Sequence, residues 1–424
     1  MNLFQAPTGT RDVLAPESAR VEALIGTFAV LARRANYGLI LSPMFEDAGV
    51  FRRGVGEASE LVTKEMYEFE DRGGRLLALR PEGTASVVRA YIQHRPQPPF
   101  KAWYATPAFR YERPQAGRYR QHHQLGVEAI GSADPDLDVE VIALLADYLH
   151  AVGLQAITLR LNSMGDDECR PAYVARLEQF LEAHASELCA EHQENWKRNP
   201  LRVLDCKRVE CLALRPQMPR LSEQRCGPCE AHFARVREGL DALGIAYELD
   251  DFLVRGLDYY TRTTFEFGSD ALQAAQNAVG GGGRYDKLVG ALGGPETPGI
   301  GFATGIERVL LALEAEGKAT MDEGPVEVFV VDLTGGAEAR DLTIALRREG
   351  FVAERSFDQR SMKAQMRQAD RAGAWVALIV GEAELASGEI TARVLRGEQA
   401  HQQVSLARPE LTDGLRQLLG KARG

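Results

Sequence analysis

The sequence predicts an α+β protein: an antiparallel sheet with helices, a helical insertion within it, and a small α/β domain after it. Three observations carry this prediction. Short β-like runs bounded by turn residues fill the first 160 positions, residues 165–245 turn helical and polar, and past residue 325 strand and helix patterns alternate. At 424 residues the chain is too long for one compact core. Two domains are therefore expected, 1–320 and 325–424, joined by a linker "KATMDEGP" at 318–325.

The first element, "PESARVEALIGTFAVLARRANYG", has apolar residues at helical spacing, Pro16 near its start and Gly38 at its end. Strand-like runs follow at 38–43, 76–81, 102–111 and 124–131. "DLDVEVIALLADYLHAVG" (136–153) is a helix with acidic residues in its first turn, and "AITLRLNS" (156–163) another strand. Strands return within 247–269, ahead of a Gly-rich turn at 280–283 and a strand or turn that leads into a helix at 298–317. The core sheet is expected to hold six or seven antiparallel strands, and the last domain a mostly parallel sheet.

Composition narrows the class. Hydrophobic content of 45% and charged content of 26% suit a soluble globular protein, and no run of 18 apolar residues predicts a membrane span. The N-terminal residues carry no basic and apolar signal pattern, and six cysteines without one fit reduced thiols in a cytoplasm. Residues 325–424 hold 14 Lys+Arg and 14 Asp+Glu, so the other 36 and 46 give the first 324 residues the whole net charge of −10. That acidity argues against wholesale coating of nucleic acid and leaves room for local basic sites.

One such site is "FRYERPQAGRYRQHHQ" (109–124), with four arginines among aromatics in a hairpin pattern. Arg110 can present a fixed planar fork to a phosphate; a solvated hairpin pairing Arg110 or Arg113 with Glu112 explains the same residues. "RPEGTASVVRAY" puts Glu82 at a strand-to-helix turn, where an acid also suits the helix dipole. "RGLDYYTRTTFEF" offers Arg255, Tyr259 and Tyr260, which strand packing also favours. Arg308 lies in a helix that otherwise reads as buried, where a snorkelling side chain or a pair with Glu307 is the plainer account. The glycines at 281–283 fit close backbone approach or a flexible turn, and not a P-loop. Cys206, Cys211, Cys226 and Cys229, as C-x4-C-x14-C-x2-C, make one four-thiolate zinc site conceivable; only one half has the usual spacing, and structural thiols with no metal are the expectation.

Taken together, these segments resemble the bacterial histidyl-tRNA synthetases, which are class II aminoacyl-tRNA synthetases. "PTGTRDVLAPES" resembles the family's N-terminal segment, "FRYERPQAGRYRQHHQLGVEAIG" class II motif 2, and "PGIGFATGIERVLLAL" motif 3. "LVRGLDYYTRTTFEF" and "AVGGGGRYDKLVGALGG" resemble its two histidine-specific motifs. The resemblance spans essentially the whole chain and is weak over 165–245.

It implies a class II catalytic core, an anticodon-binding module over 325–424, and a homodimer built near Pro16–Gly38. The implied reaction activates L-histidine with ATP to histidyl-adenylate, releasing pyrophosphate, and then charges histidine tRNA. It assigns Arg110 and Arg255 to the α-phosphate, with Arg255 in place of a second metal ion, Arg308 and Arg113 to the ATP tail, and Mg²⁺ to the β- and γ-phosphates. Histidine contacts fall to Glu82, Gly83, Thr84, Arg110, Gln124, Glu128, Arg255, Tyr259 and Tyr260. Arg118 and Arg120 are expected to meet the tRNA acceptor stem. Arg360 and Lys363, in a segment 346–371 with seven Lys/Arg against four Asp/Glu, are expected to meet its phosphate backbone. His122 stands where the family more often has a ring such as Phe, which bears on packing only. The competing reading is the non-catalytic regulatory paralogue that partners an ATP phosphoribosyltransferase. That paralogue lacks the anticodon module and generally lacks the full arginine set.

Overall fold

The computed structural model of the protein describes residues 3–56, 59, 61–273, 277–318, 326–358 and 360–423. It divides into two compact units, Met1–Thr320 and Met321–Gly424. Apart from Lys318, the expected linker lies outside the described residues.

In the first unit the strands are β1 (Gly38–Leu39), β2 (Phe45–Asp47), β3 (Glu68–Glu70), β4 (Leu76–Leu79), β5 (Phe100–Phe109), β6 (Gln121–Ile130), β7 (Ile157–Ser163), β8 (Glu248–Leu249), β9 (Thr261–Ser269), β10 (Ala278–Arg284) and β11 (Gly299–Gly305). The main sheet runs β1-β5-β6-β11-β10-β9-β7-β8. Its six inner strands are antiparallel throughout, and the two-residue β1 and β8 add parallel edges, making eight where six or seven were expected. A separate three-stranded sheet, β2-β4-β3, holds the strand predicted at 76–81.

Period-two alternation gives the main sheet two different faces. Leu125, Val127 and Ala129 of β6, Phe265 and Phe267 of β9, and Ile300 and Phe302 of β11 point into one core under the helices Glu17–Arg34, Pro135–Ala151 and Ile306–Ala315. The intervening residues, Gln124 and Glu128 of β6, Glu266 of β9 and Gly301 of β11, take the opposite face. Asp134 caps the helix Pro135–Ala151 by accepting from the Asp136 N–H at 3.0 Å. The first helix stops at Arg34, four residues before Gly38, and Asn36 at φ 61° makes the turn.

The glycines at 280–283 are not a turn. They form the middle of β10, paired on both sides, because the flanking strands approach too closely for side chains. A Cβ on Gly282 would overlap the Gly301 carbonyl oxygen, and one on Gly283 would lie 2.5 Å from the Thr263 oxygen.

The helical insertion is irregular. Between the helix Arg170–Ala183 and the helix Gly227–Ala242 lie two six-residue α-helices, the 3₁₀ helix Pro200–Asp205 and four single 3₁₀ turns, around a small core of Tyr173, Leu177, Trp196, Val203 and Leu214. The helix Gly227–Ala242 belongs to the main core through Phe233, Val236 and Leu240.

The second unit has β12 (Val328–Asp332), β13 (Ala353–Arg355), β14 (Val376–Val380), β15 (Glu389–Val394) and β16 (Gln403–Ala407) in the order β13-β12-β14-β15-β16. The first three are parallel, as expected, while β15 and β16 form an antiparallel extension. Helices Ala337–Arg348, Met362–Arg371 and Leu411–Arg423 belong to this unit.

Gly282→Ala should destabilise the first unit by about 1–3 kcal/mol through overpacking against backbone. Urea unfolding followed by circular dichroism checks this; an unchanged midpoint would contradict the close approach.

Candidate active site

The outer face of the main sheet floors a cavity of about 310 Å³. Glu82, Thr84, Arg110, Gln124, Arg255, Tyr259, Tyr260 and Arg308 all line it, although they span more than 220 positions of sequence. Glu82 and Thr84 come from the start of the helix Thr84–His94, Arg110 from the end of β5, and Arg308 from the helix Ile306–Ala315.

Glu128 sits behind this wall with no exposed surface. Its Oε1 accepts hydrogen bonds from the hydroxyls of Thr84 (2.7 Å) and Tyr104 (3.2 Å), and its Oε2 from Tyr285 (2.6 Å). Burial pushes its carboxyl up to about 8; the bonds from Tyr285 and Thr84 oppose that rise, and the nearby Glu82 adds to it. Room for this carboxylate comes from Gly301, where a Cβ would overlap Oε2. Gly83 and Gly126 make room for the Tyr104 ring in the same way, so Gly83 supports the site without lining it.

Glu82 is both a helix acid and a cavity group. It accepts from the N–H groups of Thr84 (2.6 Å) and Ala85 (2.8 Å) while lining the cavity. Burial raises its pKa despite those bonds. The Gln124 Oε1 is buried with no protein partner, an acceptor left for a ligand. Tyr259 and Tyr260 are buried, with ring centroids 4.7 Å apart.

The cations are anchored from behind. Arg110 Nε donates to the Pro81 carbonyl at 2.9 Å, and its Nη1 lies 3.8 Å from Glu112, so the plain hairpin pairing coexists with cavity access. Arg255 is ion-paired with Glu266 and passes over Gly281, where a Cβ would lie 3.0 Å from Nη1. Burial works against its charge, and Glu266 with Tyr260 outweighs burial, leaving its pKa above the ordinary value. Burial lowers the pKa of Arg308, and the charge of Arg118 adds to that. His122 also lines the cavity; burial, then Arg110, lowers its pKa to about 3, so the ring is neutral.

Four sequence expectations meet a different placement. Arg113 lies on the exposed hairpin and is not part of the cavity wall. Arg118 flanks the hairpin's two-residue turn, is exposed, and also lines the cavity beside Arg308. Arg120 stacks on Tyr111 at 3.9 Å and donates to the carbonyls of Glu112 and Thr8, which ties the N-terminal segment to the hairpin. The four cysteines do not form one cluster: Cys206 and Cys211 gather in one place, Cys226 and Cys229 in another. The sequence assigned no role to Tyr285, Tyr104 or Glu266, and Glu307, expected beside Arg308, accepts from the His123 N–H and pairs with its ring Nδ1 at 2.9 Å. Tyr285 directly follows the glycine run and Arg284, which is the signal that could have found it.

Residues 9–309 match the family described as "Histidyl-tRNA synthetase", and residues 327–418 match "Anticodon binding domain". A histidine–tRNA ligase of Anaeromyxobacter dehalogenans is 50% identical over 95% of this chain and 97% of its own length. One from Moorella thermoacetica is 48% identical over 93% and 94%. The crystal structure of apo S. aureus histidyl-tRNA synthetase superposes with a TM-score of 0.80 at 35% identity, covering 98% of this chain and all of that one.

The raised Glu128 pKa makes a pH prediction. An unfolded glutamate titrates near about 4.3, so from there up to about 8 the folded protein holds a proton that the unfolded chain has released. The stability from this group is full below the lower value and declines as pH rises to the upper one. Glu128→Gln should flatten that decline. Urea midpoints of unliganded protein from pH 5 to 9 test this, and parallel curves for wild type and variant would contradict it.

Proposed function

The chain belongs to the histidyl-tRNA synthetase family, an aminoacyl-tRNA ligase that uses ATP to join histidine to tRNA, and on that premise we propose how its own residues divide the work. In the first step a histidine carboxylate oxygen bonds to the α-phosphorus of ATP. The bond from that phosphorus to the bridging oxygen breaks, and pyrophosphate leaves with the electron pair. Charge builds on the phosphoryl oxygens, so the demand is for positioned cations.

Arg110 and Arg255 grip the α-phosphate from two sides, and Arg308 with Arg118 holds the tail. A guanidinium keeps its charge at any physiological pH and donates in pairs, which suits it to this task. Glu112 and Glu307, hard oxygen donors in the same cavity, would hold Mg²⁺, which when bound neutralises the β- and γ-phosphates. In the second step the 3′-terminal hydroxyl of the tRNA attacks the carbonyl carbon and AMP leaves.

Histidine is measured by Glu128 and Tyr260, one partner for each ring nitrogen, with Tyr259 and Tyr285 closing the pocket. A ring lacking either nitrogen would forgo one of these two contacts. Glu82 and Thr84 take the α-ammonium, and the open Gln124 acceptor completes the amino-acid site. What supports this reading most is one observation: three arginines from remote parts of the chain share a cavity with Glu82, Gln124 and Tyr260.

In the second unit the tRNA contact falls on Arg360 and Lys363, both exposed, beside the exposed Phe357 with Arg355 4.5 Å from its ring centre. An aromatic face flanked by cations suits an unstacked base and its phosphate. A homodimer is supported by the exposed apolar run Leu39, Leu41, Met44 and Phe45, which follows the first helix. No helix among the described residues is long and apolar enough to cross a membrane, and the free thiols suit a cytoplasmic setting. The regulatory paralogue is the weaker reading, because the ligases at about half identity match the chain across both units.

Arg255→Ala should lower histidine-dependent pyrophosphate exchange by about 10²–10³-fold with the fold retained; exchange within a few-fold of wild type would remove Arg255 from the mechanism. The double charge reversal Arg360→Glu with Lys363→Glu should weaken tRNA charging and spare pyrophosphate exchange. Loss of both activities together would overturn the role given to the second unit.

A further inference from the structure

All six cysteines of the chain fall into two clusters, and each cluster is completed by one further donor. The first is Cys189, His192, Cys206 and Cys211; the second is Asp166, Cys169, Cys226 and Cys229. Within each, the four donor atoms lie within 4.8 Å of one another.

The spacings resemble a coordination shell more than ordinary packing. A tetrahedral ion bonded to sulfur at about 2.3 Å sets its sulfurs about 3.8 Å apart. Cys189 Sγ lies 3.9 Å from Cys206 Sγ, and Cys169 Sγ lies 3.9 Å from Cys229 Sγ. The mixed edges agree: His192 Nδ1 is 3.2 Å from Cys189 Sγ and 3.7 Å from Cys211 Sγ, and Asp166 Oδ1 is 3.5 Å from Cys169 Sγ and 3.6 Å from Cys226 Sγ. None of the six cysteines is in a disulfide.

Backbone N–H groups already point at the sulfurs, as in metal knuckles. The Cys189 N–H donates to Cys211 Sγ, and the Asp166 N–H to Cys169 Sγ, each at 3.4 Å. Gly165, at φ 62°, makes the tight turn that brings Asp166 to Cys169; a Cβ there would lie 2.7 Å from the sulfur. Two of the four chain segments involved carry the two-residue spacing of a knuckle with cysteine at its second position, Asp166 to Cys169 and Cys226 to Cys229.

We propose that the insertion holds two structural zinc ions, one on Cys189, His192, Cys206 and Cys211 and one on Asp166, Cys169, Cys226 and Cys229. Three thiolates with one imidazole or carboxylate suit a thiophilic tetrahedral ion, and four protein donors leave no open position for catalysis. The donor atoms of each set are too close together for a two-iron cluster between them.

The sites also answer a stability problem. The stretch 185–223 has only short helices and single turns, and its apolar core is small. The second ion ties Cys169 to Cys229, 60 residues apart, and so closes the insertion at its base. From there the connection to the histidine pocket is direct. Arg170 donates from Nε to the Met164 carbonyl at 2.9 Å and from Nη2 to the Tyr260 carbonyl, and the Arg262 N–H donates to the Gly165 carbonyl at 2.7 Å. The first ion stands beside the adenylation site, because His192 and Cys206 line a hollow shared with Arg110 and Arg255.

The test is the metal content of the full-length protein, purified without chelator from zinc-sufficient medium. The expected result is two equivalents of zinc per chain by plasma mass spectrometry. Cys211→Ser should lose one equivalent and Cys229→Ser the other, and a wild-type protein reloaded with cobalt(II) should show thiolate-to-metal charge transfer with tetrahedral d–d bands. Zinc near zero with six thiols titratable in the native protein overturns the proposal, as does iron with labile sulfide. A single equivalent lost in only one variant overturns the site belonging to the other. Should a variant not fold, the wild-type zinc count and cobalt spectrum decide alone. Pyrophosphate exchange is measured on the same samples, so failure of the zinc proposal is distinguishable from failure of the catalytic reading.

Discussion

Glu128 has no exposed surface, and its two oxygens take hydrogen bonds from Thr84, Tyr104 and Tyr285. An isolated carboxylate in that position would be costly; burial raises its pKa, and the three hydroxyls satisfy its oxygens. They also dictate the sheet around it. Gly301, Gly126 and Gly83 are needed because the carboxylate and the Tyr104 ring occupy the space their side chains would fill. A core that merely excluded water would not call for this arrangement. A polar cavity wall does.

The same logic extends to the cations. Arg255 would be a poorly compensated charge without Glu266, and its passage over Gly281 accounts for that one glycine of the run in β10. Arg110 is fixed by the Pro81 carbonyl, so its fork is pre-aimed. Positioning of this kind lowers the barrier to phosphoryl transfer without any protein group taking part covalently. The sheet's two faces thus have separate tasks: one supplies an apolar core, the other a rigid polar floor.

Much of this was legible in the sequence, and the failures have physical causes. The inner strands β5, β6, β7 and β9, the helices at Glu17–Arg34 and Pro135–Ala151, and the cavity residues Arg110, Arg255, Arg308, Glu82 and Gln124 were all carried by motif or periodicity. The run at 280–283 read as a turn because glycine usually breaks strands, and only the spacing to Gly301 and Thr263 shows why it is needed in one. Tyr285 and Glu266 escaped because their roles depend on cross-strand register, which a linear reading does not contain. Arg118 and not Arg113 lines the cavity, because which hairpin residue faces it depends on the turn at 116–117, which spacing alone does not give. The cysteines were grouped by nearness in sequence, whereas their clusters recruit Asp166, Cys169, Cys189 and His192 from other segments.

The central claim is that one cavity measures an imidazole ring at one end and holds an α-phosphate between two guanidinium groups at the other. A crystal structure with a non-hydrolysable histidyl-adenylate analogue tests it most directly. The account predicts the ring nitrogens facing Glu128 and Tyr260, with the phosphate mimic between Arg110 and Arg255. An analogue bound with its ring away from Glu128, or with its phosphate mimic touching neither arginine, would contradict it.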